Sequence, residues 1–348
     1  MEEWIASAIR AAKEMEAHSP LEKGGANADF VKQSYENHWG GRVESIREKI
    51  AGGETIAHIL AGIRSQPHLL RNNQGTDAIT KNALPDFNET TSDGNPTSRL
   101  GVCNSRFVAQ PNFDPMTAIY RHALDADTIV ELGAGPGWNL FNLSTFLGKA
   151  VHGKRLFGLE YSDAGLEIIK LLAEHESLPI EAHFFDYRNP DLSVLPPTGR
   201  MLIFSHHSME QVEEISPLLH QTIAARKEPT KLIHCEPIGW QRFPDLYKAR
   251  VRENDNLLKA MVVRRFDDLH APHAVAMSAA INSWRVKYNR NAMNCINKQV
   301  NAKRFIVREA IYDFTHIYNS NPVNPSTYLE IDVLPPRDQP KEESAEQE

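Results

Sequence analysis

The chain has 348 residues, 41% of them hydrophobic, and a formal net charge of -7. That length holds one large domain or a core with an accessory domain, and the hydrophobic share is that of a folded globular protein, which argues against extensive disorder. The acidic balance argues against general electrostatic binding to nucleic acid or to an anionic membrane, although residues 243–304 alone carry 12 Lys and Arg against 5 Asp and Glu. Cys103, Cys235 and Cys295 are widely spaced and form no C-x-x-C pair, so neither a disulfide framework nor a zinc cluster is expected. The start is acidic where a secretory signal would be basic, and no apolar run approaches the roughly 20 residues of a membrane span. A soluble cytoplasmic protein is the expectation.

Residues 1–66 read as helical. Trp4, Ile5, Ala8, Ile9, Ala12 and Met15 recur at helical spacing, and Phe30, Val31, Tyr35 and Trp39 mark a second helix that Gly40-Gly41 should halt. Two more helices are expected over 43–50 and 56–63, parted by Gly52-Gly53. This region suits a packing or lid element. Residues 67–115 are dense in turn formers, Asp93-Gly94-Asn95-Pro96 among them, and read as a linker or a loop that closes over substrate.

A helix over 115–124 leads into a regular alternation. Strands are predicted at 128–132, 155–160, 180–185, 201–205 and 231–235, with helices at 138–146, 164–175 and 217–226 between them. Ser162 and Asp163 are natural N-caps, and Ser216 before Pro217 is a good helix start. The pattern is that of a doubly wound α/β sheet. Residues 243–301 interrupt it with helical periodicity. The runs 304–314 and 326–334 would be antiparallel strands closing the sheet, and the charged tail 335–348 would be disordered.

The sheet is organised around Thr128-Ile-Val-Glu-Leu-Gly-Ala-Gly-Pro-Gly-Trp138. An apolar strand ends near Glu131 and breaks into Gly133, Gly135 and Gly137 before a helix. Glycines permit a sharp turn and close approach of a ligand, and a helix N-terminus beside a strand end makes a nucleotide pocket. A dinucleotide fingerprint would read G-x-G-x-x-G; here the spacing is G-x-G-x-G, with an acid two positions before the first glycine. A carboxylate there would repel a pyrophosphate and suits the ammonium of an amino-acid ligand. Glu131, Gly133, Ala134, Gly135 and Gly137 resemble motif I, E/D-x-G-x-G-x-G, of the class I S-adenosyl-L-methionine (SAM) dependent methyltransferases. The resemblance covers roughly residues 116–240 and the last two strands. It implies a Rossmann-like seven-stranded methyltransferase sheet with helices on both faces, here with an N-terminal helical region (1–115), a SAM-binding core (116–242), a helical cap insertion (243–303) and two closing strands (304–334).

Glu160, 23 positions after Gly137 at the end of the second strand, is placed to accept hydrogen bonds from ribose hydroxyls. The resemblance gives it, with Tyr161, the SAM ribose, and gives Asp186 and Tyr187 the adenine, the acid taking the exocyclic amine and an aromatic ring stacking. Ser205 and the histidines that follow leave the fourth strand where the transferable methyl should lie. A hydroxyl nucleophile must lose its proton, and histidine is the usual base at neutral pH, so His206 and His207 are the catalytic candidates. The [D/N]-P-P-[Y/F] tetrad of amino-directed nucleic-acid methyltransferases is absent. His234-Cys-Glu236 matches no metal-ligand spacing, and no metal is expected. Trp240, Arg242, Tyr247, Arg250 and residues 288–291 could bind phosphate, sugar or carboxylate groups. The expectation is methyl transfer from SAM to a hydroxyl of a small-molecule or sugar-type acceptor, anionic ones included, and the layout is similar to bacterial sugar and small-molecule O-methyltransferases. N-methylation by proximity, a non-catalytic SAM-binding scaffold and an NAD(P)-dependent oxidoreductase are the alternatives, and the oligomeric state is open.

Overall fold

The computed structural model describes residues 28–64, 115–251, 287–314 and 325–336, with isolated positions between 276 and 284. The helix read at residues 4–15, the loop of residues 67–114 and most of the tail lie outside them. In chain order the elements are α1 (Ala28–Ala51), α2 (Ile56–Arg64), α3 (Pro115–Asp125), β1 (Thr128–Leu132), α4 (Trp138–Leu147), β2 (Arg155–Glu160), α5 (Asp163–His175), β3 (Ile180–Phe184), β4 (Met201–His206), α6 (Pro217–Ala224), β5 (Thr230–Glu236), α7 (Pro244–Val251), α8 (Ala292–Asn301), β6 (Phe305–Phe314) and β7 (Ser326–Val333).

The strands form one seven-stranded sheet in the order β3-β2-β1-β4-β5-β7-β6. The first five are parallel, and β7 runs antiparallel to both β5 and β6. So the two closing strands pair antiparallel with each other, as expected, and β6 shares the direction of the parallel set while β7 is reversed. All five residues of β1 are buried, as befits a central parallel strand with helices on both faces. Leu140 and Phe141 of α4 and Ile168, Ile169 and Leu172 of α5 pack on one face with Ile46 of α1. Leu219 and Ile223 of α6 and Met293 and Ile296 of α8 pack on the other. Residues 292–301 are therefore a core layer rather than part of a cap.

The glycine pair at 40–41 does not halt α1. Each glycine costs a helix about 1 kcal/mol relative to alanine, but Trp39, Val43, Ile46 and Ile50 pack against the core cluster along one stripe, and that burial outweighs the propensity. Both glycines are exposed. Ser162 and Ser216 do cap α5 and α6, accepting from the amides of Gly165 and Leu218.

The order of strands reverses direction between β1 and β4, which pair with Leu132 opposite Ser205. In open α/β sheets the crevice beyond the carboxyl ends at such a point is where ligands bind.

Candidate active site

A cavity of about 590 Å³ opens there, between the ends of β1, β2 and β4 and the side of α1. Its floor is the glycine turn. The amides of Gly133 and Ala134 donate to the Leu159 carbonyl at 2.7 and 3.0 Å, tying the turn to β2. Gly133 has φ +69°, and a Cβ on it would lie 2.4 Å from the Ser208 Cβ, so two backbones meet with no room for a side chain. Glu131, Gly133, Ala134 and Gly135 all line the cavity. Gly137 does not. It begins α4 at φ +80°, and a Cβ there would meet Ile169 and Phe141 at 2.9 Å, so its part is helix packing.

Glu131 is 1% exposed. Its Oε1 accepts from Asn139 Nδ2 at 2.6 Å, and its Oε2 takes no hydrogen bond from the described residues. Burial pushes the carboxyl up to about 8, against the pull of Asn139, with nearby Glu160 adding to the rise. Glu160 lies on the same wall. Its Oε2 accepts from the Gly135 amide at 2.8 Å, and its Oε1 accepts from the Ser162 amide at 2.9 Å and hydroxyl at 2.7 Å. Burial raises its pKa in spite of those bonds.

Asp186 lines the cavity but is held by a partner that spacing did not reveal. Arg188 binds it bidentately, Nε to Oδ1 at 2.9 Å and Nη2 to Oδ2 at 2.8 Å, and also reaches the Tyr161 hydroxyl at 2.7 Å. The guanidinium lies 5.1 Å from the Tyr161 ring centre. The aromatic ring beside Asp186 and Arg188 is thus Tyr161. Tyr187 is buried and turned to the glycine bend, where its hydroxyl donates to the Leu132 carbonyl at 2.9 Å and meets Ser208 Oγ at 2.8 Å. It braces the turn, with its ring in the cavity wall.

Ser205 is not part of the cavity lining, contrary to the sequence reading. Alternation along β4 turns it into the sheet face packed by α6, fully buried, with Oγ 2.9 Å from His234 Nδ1. His234 Nε2 in turn lies 3.1 Å from His220 Nε2. Burial pulls His220 down to about 4, and burial with the neighbouring His220 lowers His234 well below the usual imidazole range, so both are neutral rings with one proton between the facing nitrogens.

His206 and His207 both line the cavity, their rings edge-on with centres 5.0 Å apart. His207 has φ +52°, uncommon for a residue with a side chain and characteristic of functional sites. The following turn, Met209–Gln211, starts on the buried carboxylate of Glu236, which accepts from the amides of Ser208 and Met209 at 3.2 Å and of Glu210 at 3.3 Å. Burial and the nearby Glu210 raise Glu236 to about 7. Donor atoms of His206, His207 and Cys235 lie within 4.8 Å of one another. His207 Nε2 is 2.6 Å from Ser326 Oγ.

The cavity's outer wall comes from parts no motif identified. Tyr35 and Trp39 line it from α1, which docks through Glu36: its carboxylate accepts from the amides of Asp163 at 2.6 Å and Ala164 at 3.0 Å, at the start of α5. Lys32 with Asp163 and Arg47 with Glu167 add ion pairs. Opposite, Arg290 pairs with Glu214 at 2.7 Å. Most of the polar residues expected to bind an acceptor are committed within the protein. Asn289 Nδ2 donates to the Val212 carbonyl at 2.9 Å, Asn291 Nδ2 to the Ile215 carbonyl at 2.8 Å, and buried Arg250 pairs with Glu213 at 3.0 Å. They latch the segment after Tyr288 over the loop that follows β4.

No protein-family model matches the sequence, and no curated protein matches it. Among solved structures, the chain is similar to an O-methyltransferase from Bacillus cereus in complex with S-adenosylhomocysteine (SAH), at 13% identity and TM-score 0.33 over 67% of this chain and 87% of that one. It is also similar to geranyl diphosphate C-methyltransferase from Streptomyces coelicolor A3(2), at 10% identity and TM-score 0.37 over 68% and 90%. The O-methyltransferase TomG from Streptomyces achromogenes, in complex with SAM, gives 10% identity and TM-score 0.35 over 68% and 88%. The seven strands with a reversed β7, and a glycine turn closing the central strand, agree with the Rossmann-like seven-stranded sheet expected from the sequence.

Proposed function

We propose that the protein is a methyltransferase that uses SAM and methylates a hydroxyl of a small-molecule or sugar-type acceptor. The observation that carries the cofactor reading is the Glu131 carboxylate: buried, on the cavity wall, with one oxygen lacking a hydrogen-bond partner among the described residues. A buried carboxyl in that state calls for a cationic ligand group. The amino-acid end of SAM supplies an ammonium. Glu160, fixed by Gly135 and Ser162, keeps acceptor capacity for hydroxyls, and the Arg188–Tyr161 pair offers a flat face to a nucleobase. When bound, SAM supplies an electrophilic methyl group.

The residues beyond β4 then decide the acceptor chemistry. A hydroxyl oxygen must be brought near 3 Å of the methyl carbon, in line, and relieved of its proton. His206 and His207 stand at that end of the cavity. The wall formed by α1 and the latch around Arg290 would exclude bulk water from the transfer. The cavity is within the usual 300–1,000 Å³ range of small-molecule sites, which suits a small acceptor or a terminal sugar better than a folded macromolecule.

The test is incubation of purified protein with methyl-labelled SAM and a size-fractionated extract, following label into small molecules. Transfer that is lost in His206→Gln or His207→Gln while SAH still binds supports a hydroxyl acceptor. SAH binding without any transfer, over all fractions, would instead leave a SAM-binding scaffold.

A further inference from the structure

Four polar side chains make a buried string on the sheet face covered by α6. His220 comes from α6, His234 and Glu236 from β5, and Ser205 from β4, and all four are 0% exposed. His220 Nε2 lies 3.1 Å from His234 Nε2, and His234 Nδ1 lies 2.9 Å from Ser205 Oγ. The Ser205 hydroxyl in turn hydrogen-bonds the Glu236 carboxyl, working against the rise in pKa that burial causes there. The string ends beneath the turn after β4, where Glu236 accepts the amides of Ser208, Met209 and Glu210. Ser208 then rests on the glycine turn, its Oγ donating to the Leu132 carbonyl at 2.7 Å and its Cβ facing Gly133.

With both rings neutral, the protons along this string can run in only two directions, and its two ends select the same one. Glu236 accepts two amides at Oε1 and one at Oε2, so it acts as a carboxylate and Ser205 gives it the hydroxyl proton. Ser205 Oγ then accepts from His234 Nδ1–H. That leaves His234 Nε2 as a lone pair, which accepts from His220 Nε2–H. At the far end, His220 Nδ1 is buried with no hydrogen-bond partner among the described residues. In this direction it is a bare lone pair; the opposite direction would make it a buried N–H without an acceptor, the rarer kind of orphan. Glu210 and His207 also face Glu236, the first raising its pKa and the second lowering it.

We propose that His220 and His234 are positioning residues for the cofactor site: through Ser205 they donate a directed chain of hydrogen bonds to Glu236, the carboxylate that holds the turn after β4 against the glycine turn. Successive bonds that point the same way polarise and strengthen one another, so the geometry of the turn depends on a ring that belongs to α6 and lines no part of the cavity. The effect on cofactor binding rests on the methyltransferase reading above; the direction of the string does not. No proton is transferred. His234 is fixed as the Nδ1–H tautomer and His220 as the Nε2–H tautomer.

The test is long-range proton–nitrogen correlation NMR on the full chain with isotope-labelled histidine, above pH 7, where Glu236 is ionised. His220→Gln and His234→Gln identify the two rings. The wild type should show His234 protonated at Nδ1 and His220 at Nε2. Glu236→Gln, whose amide can donate to Ser205 while its carbonyl keeps the turn, should reverse both tautomers. Ser205→Ala, should that variant not fold, removes the acceptor of the His234 proton and should move it to Nε2. In Ser205→Ala the SAH dissociation constant should also rise roughly 5-fold, the effect of one net hydrogen bond. The reverse tautomers in the wild type, tautomers that do not respond in the folded variants, or unchanged SAH affinity in Ser205→Ala would each overturn the proposal. A wild type that shows the expected tautomers and binds no SAH would mark failure of the cofactor reading instead.

Discussion

Glu160 Oε2 accepts a hydrogen bond of 2.8 Å from the Gly135 amide, joining the end of β2 to the turn after β1. The same carboxylate is fixed from its other side by Ser162, so it is aimed before any ligand arrives, which lowers the ordering cost of binding. Hydrogen bonds to a charged group contribute about 1.5–3 kcal/mol each. Glu160→Ala should therefore weaken SAH binding by roughly 10- to 150-fold in titration calorimetry, with Glu160→Gln in between. Unchanged affinity in Glu160→Ala would remove the residue from the site.

Gly133 meets Ser208 across the cavity floor. A Cβ at position 133 adds a left-handed backbone penalty of about 1–2 kcal/mol to a contact of 2.4 Å with Ser208 Cβ. Gly133→Ala should lower the melting temperature by several degrees and abolish SAH binding. The double variant Gly133→Ala, Ser208→Gly removes the clashing atoms and should recover part of the stability. No recovery would mean that the backbone conformation alone sets the cost.

The His220–His234 pair predicts an acid-side weakness. Both imidazoles have folded pKa values below the usual 6.5, His220 at about 4. The unfolded chain then binds more protons than the folded one as pH falls, and stability is lost from about pH 6.5 downward through the folded value. Carboxylates such as Glu330 and Asp332, held below their ordinary values by Lys231 against the effect of burial, add their own loss of stability at still lower pH. The comparison that isolates the imidazoles is melting temperature against pH for wild type and His220→Phe. The variant should have the flatter curve between pH 6.5 and 4; parallel curves would refute the assignment.

Helix α1 is docked by a side chain acting as a cap for another helix. Removing the Glu36 carboxylate frees the Asp163 and Ala164 amides, a change worth about 0.5–2 kcal/mol for ordinary caps. Because α1 carries Tyr35 and Trp39 on the cavity wall, Glu36→Ala should speed SAH dissociation several-fold in stopped flow and expose residues 28–64 to limited proteolysis. If neither rate changes, α1 does not seal the site.

The parallel sheet was legible because a buried strand is a short β-branched run and each is punctuated by its own turn residues; β1 and β2 fall where the residues place them. The glycine turn was legible for the same local reason. What could not be read was the outer half of the site. Gly40-Gly41 looked like a helix stop, because the burial of Trp39 and Ile46 that overrides it depends on residues more than 100 positions away. Ser205 looked like a cavity residue because the end of β4 was read one residue short, and its partner His234 is 29 positions on. Arg188 sits two residues from Asp186 and could have been suspected, since an Arg that close can fold back on the acid. The latch of Asn289 and Asn291 rests on bonds to backbone carbonyls, for which sequence spacing carries no signal.

The most direct measurement is calorimetric titration of the purified chain with SAH in buffers of different ionisation enthalpy, beside a pyridine dinucleotide. With Glu131 pushed up to about 8 by burial, an arriving ammonium should make it ionise. SAH should therefore bind with release of a proton near pH 7, more tightly as pH rises towards 8, and Glu131→Gln should bind weakly without proton release. A chain that ignores SAH while taking up the dinucleotide would contradict a carboxylate-held sulfonium nucleoside at the glycine turn.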